Sequence, residues 1–122
     1  MILTDTSVWV DYFRKGDTEL ARQLNAAKIA MHPYVLVELM LGHLPNREVN
    51  LTYLGLLPMA TVANEDEVRR LIAANSLFRR GIGFVDAHLI ASALITPETF
   101  LWSRDKRLLG VANEFGVSAG LV

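Results

Sequence analysis

The chain alternates short apolar segments of strand length with longer segments of helical periodicity. Four apolar segments stand at residues 1–5 (MILTD), 28–32 (KIAMH), 59–63 (MATVA) and 99–103 (TFLWS), and VSAGLV at 117–122 is a fifth candidate. This alternation predicts an α/β fold in which a central parallel sheet of four to five strands carries helices on both faces. Right-handed crossovers would connect the strands. In such sheets, binding sites form outside the carboxyl ends of the strands.

Glycine, proline and helix-capping residues predict where the helices begin and end. Gly16 ends the first helix, and Pro33 suits the first turn of another. Asn64 and Glu67 have the spacing of a capping box, and the helix that they start is expected to continue to Gly81. The predicted helices cover residues 6–16, 17–27, 33–42, 47–57, 65–80, 84–95 and 105–116. The sixth of these is apolar nearly all round, which indicates a buried helix.

Length and composition limit the class of protein. A chain of 122 residues fits one compact domain, which we expect to span residues 1–122. Hydrophobic residues make up 52%, enough for an ordered core, and the absence of cysteine excludes disulfides and thiolate metal sites. The longest nearly uncharged apolar segment, AHLIASALIT, is too short to cross a membrane, which needs roughly 20 residues. A net charge of −1 gives no indication of a nucleic-acid partner, so any basic surface must be local.

Three acidic residues lie in apolar surroundings where a carboxylate is costly. Asp5 stands between MILT and TSVWV, Glu38 lies inside YVLVELML, and Asp86 lies inside GFVDAHLIASAL. None of them has a lysine or arginine within four positions, so local ion pairs at helical spacing cannot neutralise them. An isolated carboxylate in such a setting needs a hydrogen-bonded partner or a metal ion.

The predicted elements bring these acids to one end of the sheet. Asp5 falls at the carboxyl end of the first strand, Glu38 on the helix after the second, Asp86 at the start of the buried helix, and Asp105 directly after the fourth strand. Mutual repulsion would raise their pKa values, and a divalent cation would remove that penalty. Oxygen ligands without cysteine favour a hard ion, Mg²⁺ or Mn²⁺. Helix capping is the alternative for each aspartate, and a long-range salt bridge is the alternative for Glu38.

The basic residues are unevenly placed, with seven of the twelve between positions 69 and 107. Arg104 precedes Asp105, and Arg79 and Arg80 lead into the loop before Asp86. Stabilisation of helix ends explains about half of these cations. The others form a basic rim around the predicted acidic pocket, and such a rim suits a substrate with a polyanionic backbone.

The remaining chemistry-bearing side chains are expected to be structural. The histidines have no metal-ligand spacing, and no serine has a nucleophile-elbow motif. Core packing, rather than base stacking, is the expected role of the large aromatic side chains. These are Trp9, Phe13, Phe78, Phe84 and Trp102.

Four segments, in this order, carry a resemblance to a known family: ILTDTSVWVDYFR at the start, HPYVLVELMLG in the middle, GIGFVDAHLIASAL later and LWSRDKRL near the end. The chain resembles a PIN domain, and specifically the VapC-type toxins of VapBC toxin–antitoxin systems. The resemblance covers essentially the whole chain. It implies a three-layer α/β/α fold and a Mg²⁺- or Mn²⁺-dependent endoribonuclease that acts on RNA phosphodiesters.

The resemblance also implies roles and partners. The family's acidic quartet corresponds to Asp5, Glu38, Asp86 and Asp105, its first hydroxyl to Thr6 or Ser7, and the hydroxyl before the fourth acid to Ser103. Family members usually form homodimers and are inhibited by a small VapB-type antitoxin, which often places a basic side chain in the acidic pocket. They generally act in the cytoplasm of bacteria or archaea.

The mechanistic hypothesis assigns the metal ions to the acids and the RNA phosphates to the arginines. Asp5, Glu38 and Asp86 would hold one or two ions, with Asp105 and Ser103 supporting a second ion or a water. Arg79, Arg80 and Arg104 would bind adjacent phosphates. Three alternatives stay open: a PIN-domain nuclease that processes RNA or DNA without an antitoxin, a phosphotransfer enzyme on a similar sheet, and a binding module without catalytic activity.

Overall fold

A computed structural model describes all residues from 1 to 122. Its centre is a parallel sheet of three strands in the order β2-β1-β3. The strands are β1 (Ile2–Thr4), β2 (Ile29–Ala30) and β3 (Phe100–Trp102), and Leu3 of β1 pairs with Ala30 on one side and Leu101 on the other. The predicted α/β class with a parallel sheet is thereby confirmed.

The predicted number of strands, four to five, is wrong. The segments at residues 59–63 and 117–122, which were predicted as strands, contribute only one paired residue each. Met59 bridges to Met31, and Ser118 bridges to Leu101, both in parallel. Next to β2 the pairing stops because β2 is only two residues long and the chain enters a helix at Pro33. At the other edge, Gly120 adopts a φ of +70°, which ends the extended conformation after a single bridge.

Seven α-helices surround the sheet. They are α1 (Thr6–Lys15), α2 (Thr18–Asn25), α3 (Pro33–Leu41), α4 (Arg47–Gly55), α5 (Glu65–Ala74), α6 (Phe84–Ile95) and α7 (Lys106–Glu114). Helix α1 packs on α3, and α3 packs on α4, while α6 packs on α5, α7 and β3. Residues 87–93 of α6 are all buried, as the apolar pattern predicts. None of the helices is long and apolar enough to cross a membrane.

The long helix predicted for residues 65–80 is interrupted. Its capping box forms as predicted, with Asn64 and Glu67 satisfying each other's backbone N–H groups. However, α5 ends at Ala74, Ser76 takes a left-handed conformation with φ +54°, and a 3-10 turn follows over Leu77–Arg79. Arg79 and Arg80 therefore lie in and after this turn, rather than in the last turn of a helix.

Candidate functional site

Asp5 stands just beyond the carboxyl end of β1 and is almost completely buried. Its Oδ2 atom accepts hydrogen bonds from the hydroxyls of Ser7, at 2.7 Å, and Ser103, at 2.8 Å. Its side chain accepts no hydrogen bond from the backbone N–H groups at the start of α1, although the residue occupies the N-cap position. The capping alternative therefore does not explain this carboxylate.

Glu38 reaches the same region from the side of α3. Its Oε1 atom accepts a hydrogen bond from the Thr6 hydroxyl at 2.7 Å, and Thr6 directly follows Asp5. The side chain of Glu38 has no ion-pair partner, so the long-range salt bridge considered as its alternative does not form. Thr6 therefore holds the Glu38 carboxylate next to Asp5, its neighbour in the sequence.

Asp86 is the third residue of α6, and its Oδ2 atom accepts the Gly83 backbone N–H at 3.0 Å. Burial raises the pKa of Asp86. The hydrogen bond from Gly83 opposes this effect, whereas the charges of Asp5, Asp105 and Glu38 raise the pKa further. Three acids that lie far from Asp86 in the sequence are therefore close enough in the fold to act on it electrostatically.

Asp105 caps α7 and also belongs to the acidic cluster, which consists of Asp5, Glu38, Asp86 and Asp105. Its Oδ1 atom accepts the backbone N–H groups of Arg107, at 2.9 Å, and Leu108, at 3.3 Å, at the start of α7. Its own backbone N–H donates to the Ser103 hydroxyl at 3.0 Å. Ser103 therefore connects the first and fourth acids, because it donates to Asp5 and accepts from Asp105.

No lysine or arginine neutralises the cluster. The seven ion pairs in the structure involve other acids: Asp11, Asp17, Glu19, Glu65, Asp66 and Glu114. As the side chains stand, no group of three acids or histidines is placed to hold a metal ion. The donor set nevertheless fits a hard divalent cation, because it consists of hydroxyl oxygens and of carboxylates whose negative charges repel one another until a cation is present.

The three arginines predicted to bind phosphate differ in their surroundings. Arg104 is partly buried and pairs with Asp11, at 2.9 Å, and with Asp17. Arg80 pairs with Glu114 at 2.6 Å. Arg79 pairs with no carboxylate and lies over the Phe78 ring, 5.6 Å from its centroid.

Sequence reasoning did not identify Asp11 and Asp17 as partners of Arg104, and the local pattern carries no signal for them. They are separated from Arg104 by 93 and 87 positions, and the contact exists only because β3 lies beside β1. The backbone N–H of Arg104 also donates to the Ser7 hydroxyl at 3.0 Å. The same residue thus joins the loop after β3 to the segment that carries Asp5.

The chain matches a known protein family over most of its length. The PIN-domain family model matches residues 2–114, and the chain belongs to this family. Over 118 residues it is 42% identical to Ribonuclease VapC32, from two strains of Mycobacterium tuberculosis. The alignment covers 97% of this chain and 95% of the relative's length. The resemblance to VapC-type PIN domains is therefore confirmed.

Proposed function

We propose that the chain is a metal-dependent endoribonuclease that hydrolyses RNA phosphodiester bonds, and that it is the toxin of a type II toxin–antitoxin pair. The similarity to Ribonuclease VapC32 over nearly the whole chain supports this class of activity. The observation that carries the proposal is that three other carboxylates, those of Asp5, Glu38 and Asp105, lie near Asp86 and that none of the four has a cationic partner. Such a cluster needs a bound cation, and a cation there would face the phosphate of the substrate.

The hydroxyl groups organise the proposed metal ligands. Ser7 and Ser103 occupy one oxygen of Asp5, and Thr6 occupies one oxygen of Glu38. The other oxygen of each carboxylate remains available for Mg²⁺ or Mn²⁺, together with Asp86 and Asp105. When bound, the divalent ion supplies Lewis-acid stabilisation of phosphate oxygens and makes water more acidic. No side chain is required as a nucleophile in this scheme.

The three arginines proposed to bind RNA phosphates differ in whether a carboxylate already pairs with them. Arg79 is the best-placed cation for this role, because it is exposed and has no carboxylate partner. Arg80 and Arg104 would have to exchange their carboxylates for phosphate. For Arg104, we propose that the side chain mainly holds Asp11 and Asp17, while the backbone N–H holds Ser7, and through it Asp5, in position.

The proposed partners are an RNA substrate, a VapB-type antitoxin and a second copy of the chain. The carboxylates that lack a cation would receive a basic side chain of the antitoxin. Helix α4 and the segment after it expose apolar side chains that suit a homodimer contact, Leu56 with 79% exposure and Tyr53 with 46%. Activity would take place in the cytoplasm.

Incubation of the purified protein with total cellular RNA tests the activity. We expect discrete cleavage products with Mn²⁺, none with EDTA, and none from a folded Asp5→Asn variant. Asp66→Asn is the matched control, because Asp66 is an exposed acid of α5 outside the cluster, and it should cleave like the wild type. Cleavage by Asp5→Asn at the wild-type rate would reject the site. Phosphate release from small esters with intact RNA would favour the phosphotransfer alternative.

A further inference from the structure

Two phenylalanines expected in the core are instead on the surface. Phe78 is 68% exposed and Phe84 is 70% exposed, whereas Trp9 and Trp102 are buried as expected. The interruption of the predicted long helix after Ala74 explains the position of Phe78, which lies in the following 3-10 turn. Large exposed aromatic side chains that lie close together mark binding surfaces more often than isolated ones.

The two rings line a single apolar cleft of about 260 Å³. The cleft lies between α5 and the start of α6, and seven of its eight lining residues are hydrophobic. The residues that define its walls are Val68, Ile72, Leu77, Phe78, Gly83 and Phe84. Phe84 is also stacked against Tyr34, with ring centroids 5.7 Å apart and planes inclined by 21°. The Phe84 ring is therefore supported by a neighbouring ring at the edge of the cleft.

The cleft is directly connected to the acidic cluster. Gly83, which lines the cleft, donates its backbone N–H to the Asp86 carboxylate at 3.0 Å. Phe84 precedes Asp86 by two residues in the first turn of α6. Tyr34 lies one turn before Glu38 on α3, about 6 Å along the helix axis at 1.5 Å per residue. An occupant of the cleft would thus contact the start of α6 close to Gly83, whose backbone N–H holds the Asp86 carboxylate.

A cation stands at the same place. The guanidinium of Arg79 lies over the Phe78 ring and pairs with no carboxylate. An apolar cleft with aromatic walls and a neighbouring unpaired cation matches a nucleotide, whose base is flat and apolar on its faces and whose phosphate is anionic. An apolar peptide side chain would fill the cleft without using the cation.

We infer that this cleft binds one base of a single-stranded RNA, next to the phosphodiester that is cleaved, with the base against Phe84 and Phe78 and a phosphate on Arg79. This inference rests on the proposed function, and it identifies a substrate subsite outside the acidic quartet. Stacking on an aromatic ring tolerates different bases, so the subsite contributes affinity more than sequence selectivity.

Steady-state cleavage of a short single-stranded RNA tests the subsite. Phe84→Ala should raise KM by about tenfold, the usual effect of removing one stacking ring, with a much smaller change in kcat. Phe84→Trp should restore a KM near the wild-type value. Phe100→Ala is the matched control, because Phe100 is 43% exposed at the amino end of β3, and it should leave KM unchanged. Thermal melting of each variant checks that it is folded.

Binding without cleavage gives a second readout. In EDTA, RNA should protect the introduced side chain of Phe84→Trp from fluorescence quenching by acrylamide. Trp9 and Trp102 should contribute little to the change in quenching, because both are buried. An oligonucleotide without bases should protect it much less. An unchanged KM in folded Phe84→Ala, or equal protection by the abasic oligonucleotide, would overturn the subsite while RNA cleavage by the wild type stands. Failure of the wild type to cleave any RNA would reject the proposed function itself.

Discussion

Asp5 and Asp17 represent two ways in which this chain accommodates a carboxylate. Asp17 is paired with Arg104, so its charge is largely neutralised, and its pKa is lowered by backbone and arginine hydrogen bonds against the opposing effect of burial. Asp5 accepts hydrogen bonds from two serine hydroxyls at one of its oxygens, and these hydroxyls supply no positive charge. The hydroxyl-bonded acids therefore retain a negative charge that would attract the proposed metal ion, whereas the arginine-bonded acids hold elements together.

His32 is another residue whose burial has a measurable consequence. It is completely buried at the start of α3, and its Nδ1 atom accepts the backbone N–H of Tyr34 at 3.0 Å. Burial, with a further effect of the neighbouring His88, lowers the pKa of His32 to about 4. Protonation would add a donor at Nδ1, where the structure requires an acceptor, so the folded state favours the neutral ring.

We therefore expect His32 to make the protein sensitive to acid. Since its pKa is lower in the folded state than in the unfolded state, where it is about 6.5, its stabilising effect is complete above the unfolded value. This effect is lost as the pH falls toward about 4, by up to about 3 kcal/mol. Urea unfolding at pH values across this range should show a shallower loss of stability for His32→Asn than for the wild type. Parallel curves for the two proteins would contradict the assignment, and His43→Asn, at an exposed position, is the control.

Among the helices and strands, some helix boundaries were predictable, whereas the ends of the outer strands were not. Asn64 and Glu67 carry their capping box in local sequence, and Gly16 and Pro33 mark helix boundaries as expected. The length of an edge strand depends on how many residues of the neighbouring strand are extended and free to pair with it. The apolar segment MATVA pairs only through Met59, because β2 beside it gives way to α3. The left-handed Ser76 that interrupts the predicted long helix has no glycine or proline as a signal.

Arg104 connects elements that are distant in the chain, and its loss should destabilise the fold. Its side chain is 25% exposed and pairs with Asp11 of α1 and with Asp17 before α2. Arg104→Gln should lower the free energy of unfolding by about 2 kcal/mol, because Asp17, only 11% exposed, loses its cation. Arg14→Gln removes an exposed partner of the same Asp11 and should cost less than about 0.5 kcal/mol.

Denaturant unfolding of both variants tests this comparison. Equal stabilities of Arg104→Gln and Arg14→Gln would show that Arg104 is not a structural clamp. In that case, its predicted role as a phosphate ligand would be the better explanation of its position. A large loss of stability for Arg104→Gln alone would show that its ion pairs with Asp11 and Asp17 hold these elements together.

Across the molecule as a whole, the acidic cluster was predictable because a carboxylate in an apolar segment is unfavourable unless something compensates its charge. Asp5, Glu38 and Asp86 stand in apolar segments without nearby cations, and the carboxyl ends of parallel strands lie at one edge of a sheet. The arginine contacts were not predictable, because they depend on long-range packing. The exposed Phe78 and Phe84 were also missed, since hydrophobic pattern alone does not distinguish an aromatic ring in the core from one beside a site.

We propose that the carboxylates of Asp5, Glu38, Asp86 and Asp105 form a site for a divalent cation, and calorimetric titration with Mn²⁺ measures binding there. We expect saturable binding by the wild type and by the control Asp66→Asn. Asp86→Asn should bind at least about tenfold more weakly, because it loses one carboxylate ligand at the centre of the cluster. No binding by the wild-type protein, or equal affinity in Asp86→Asn, would contradict it.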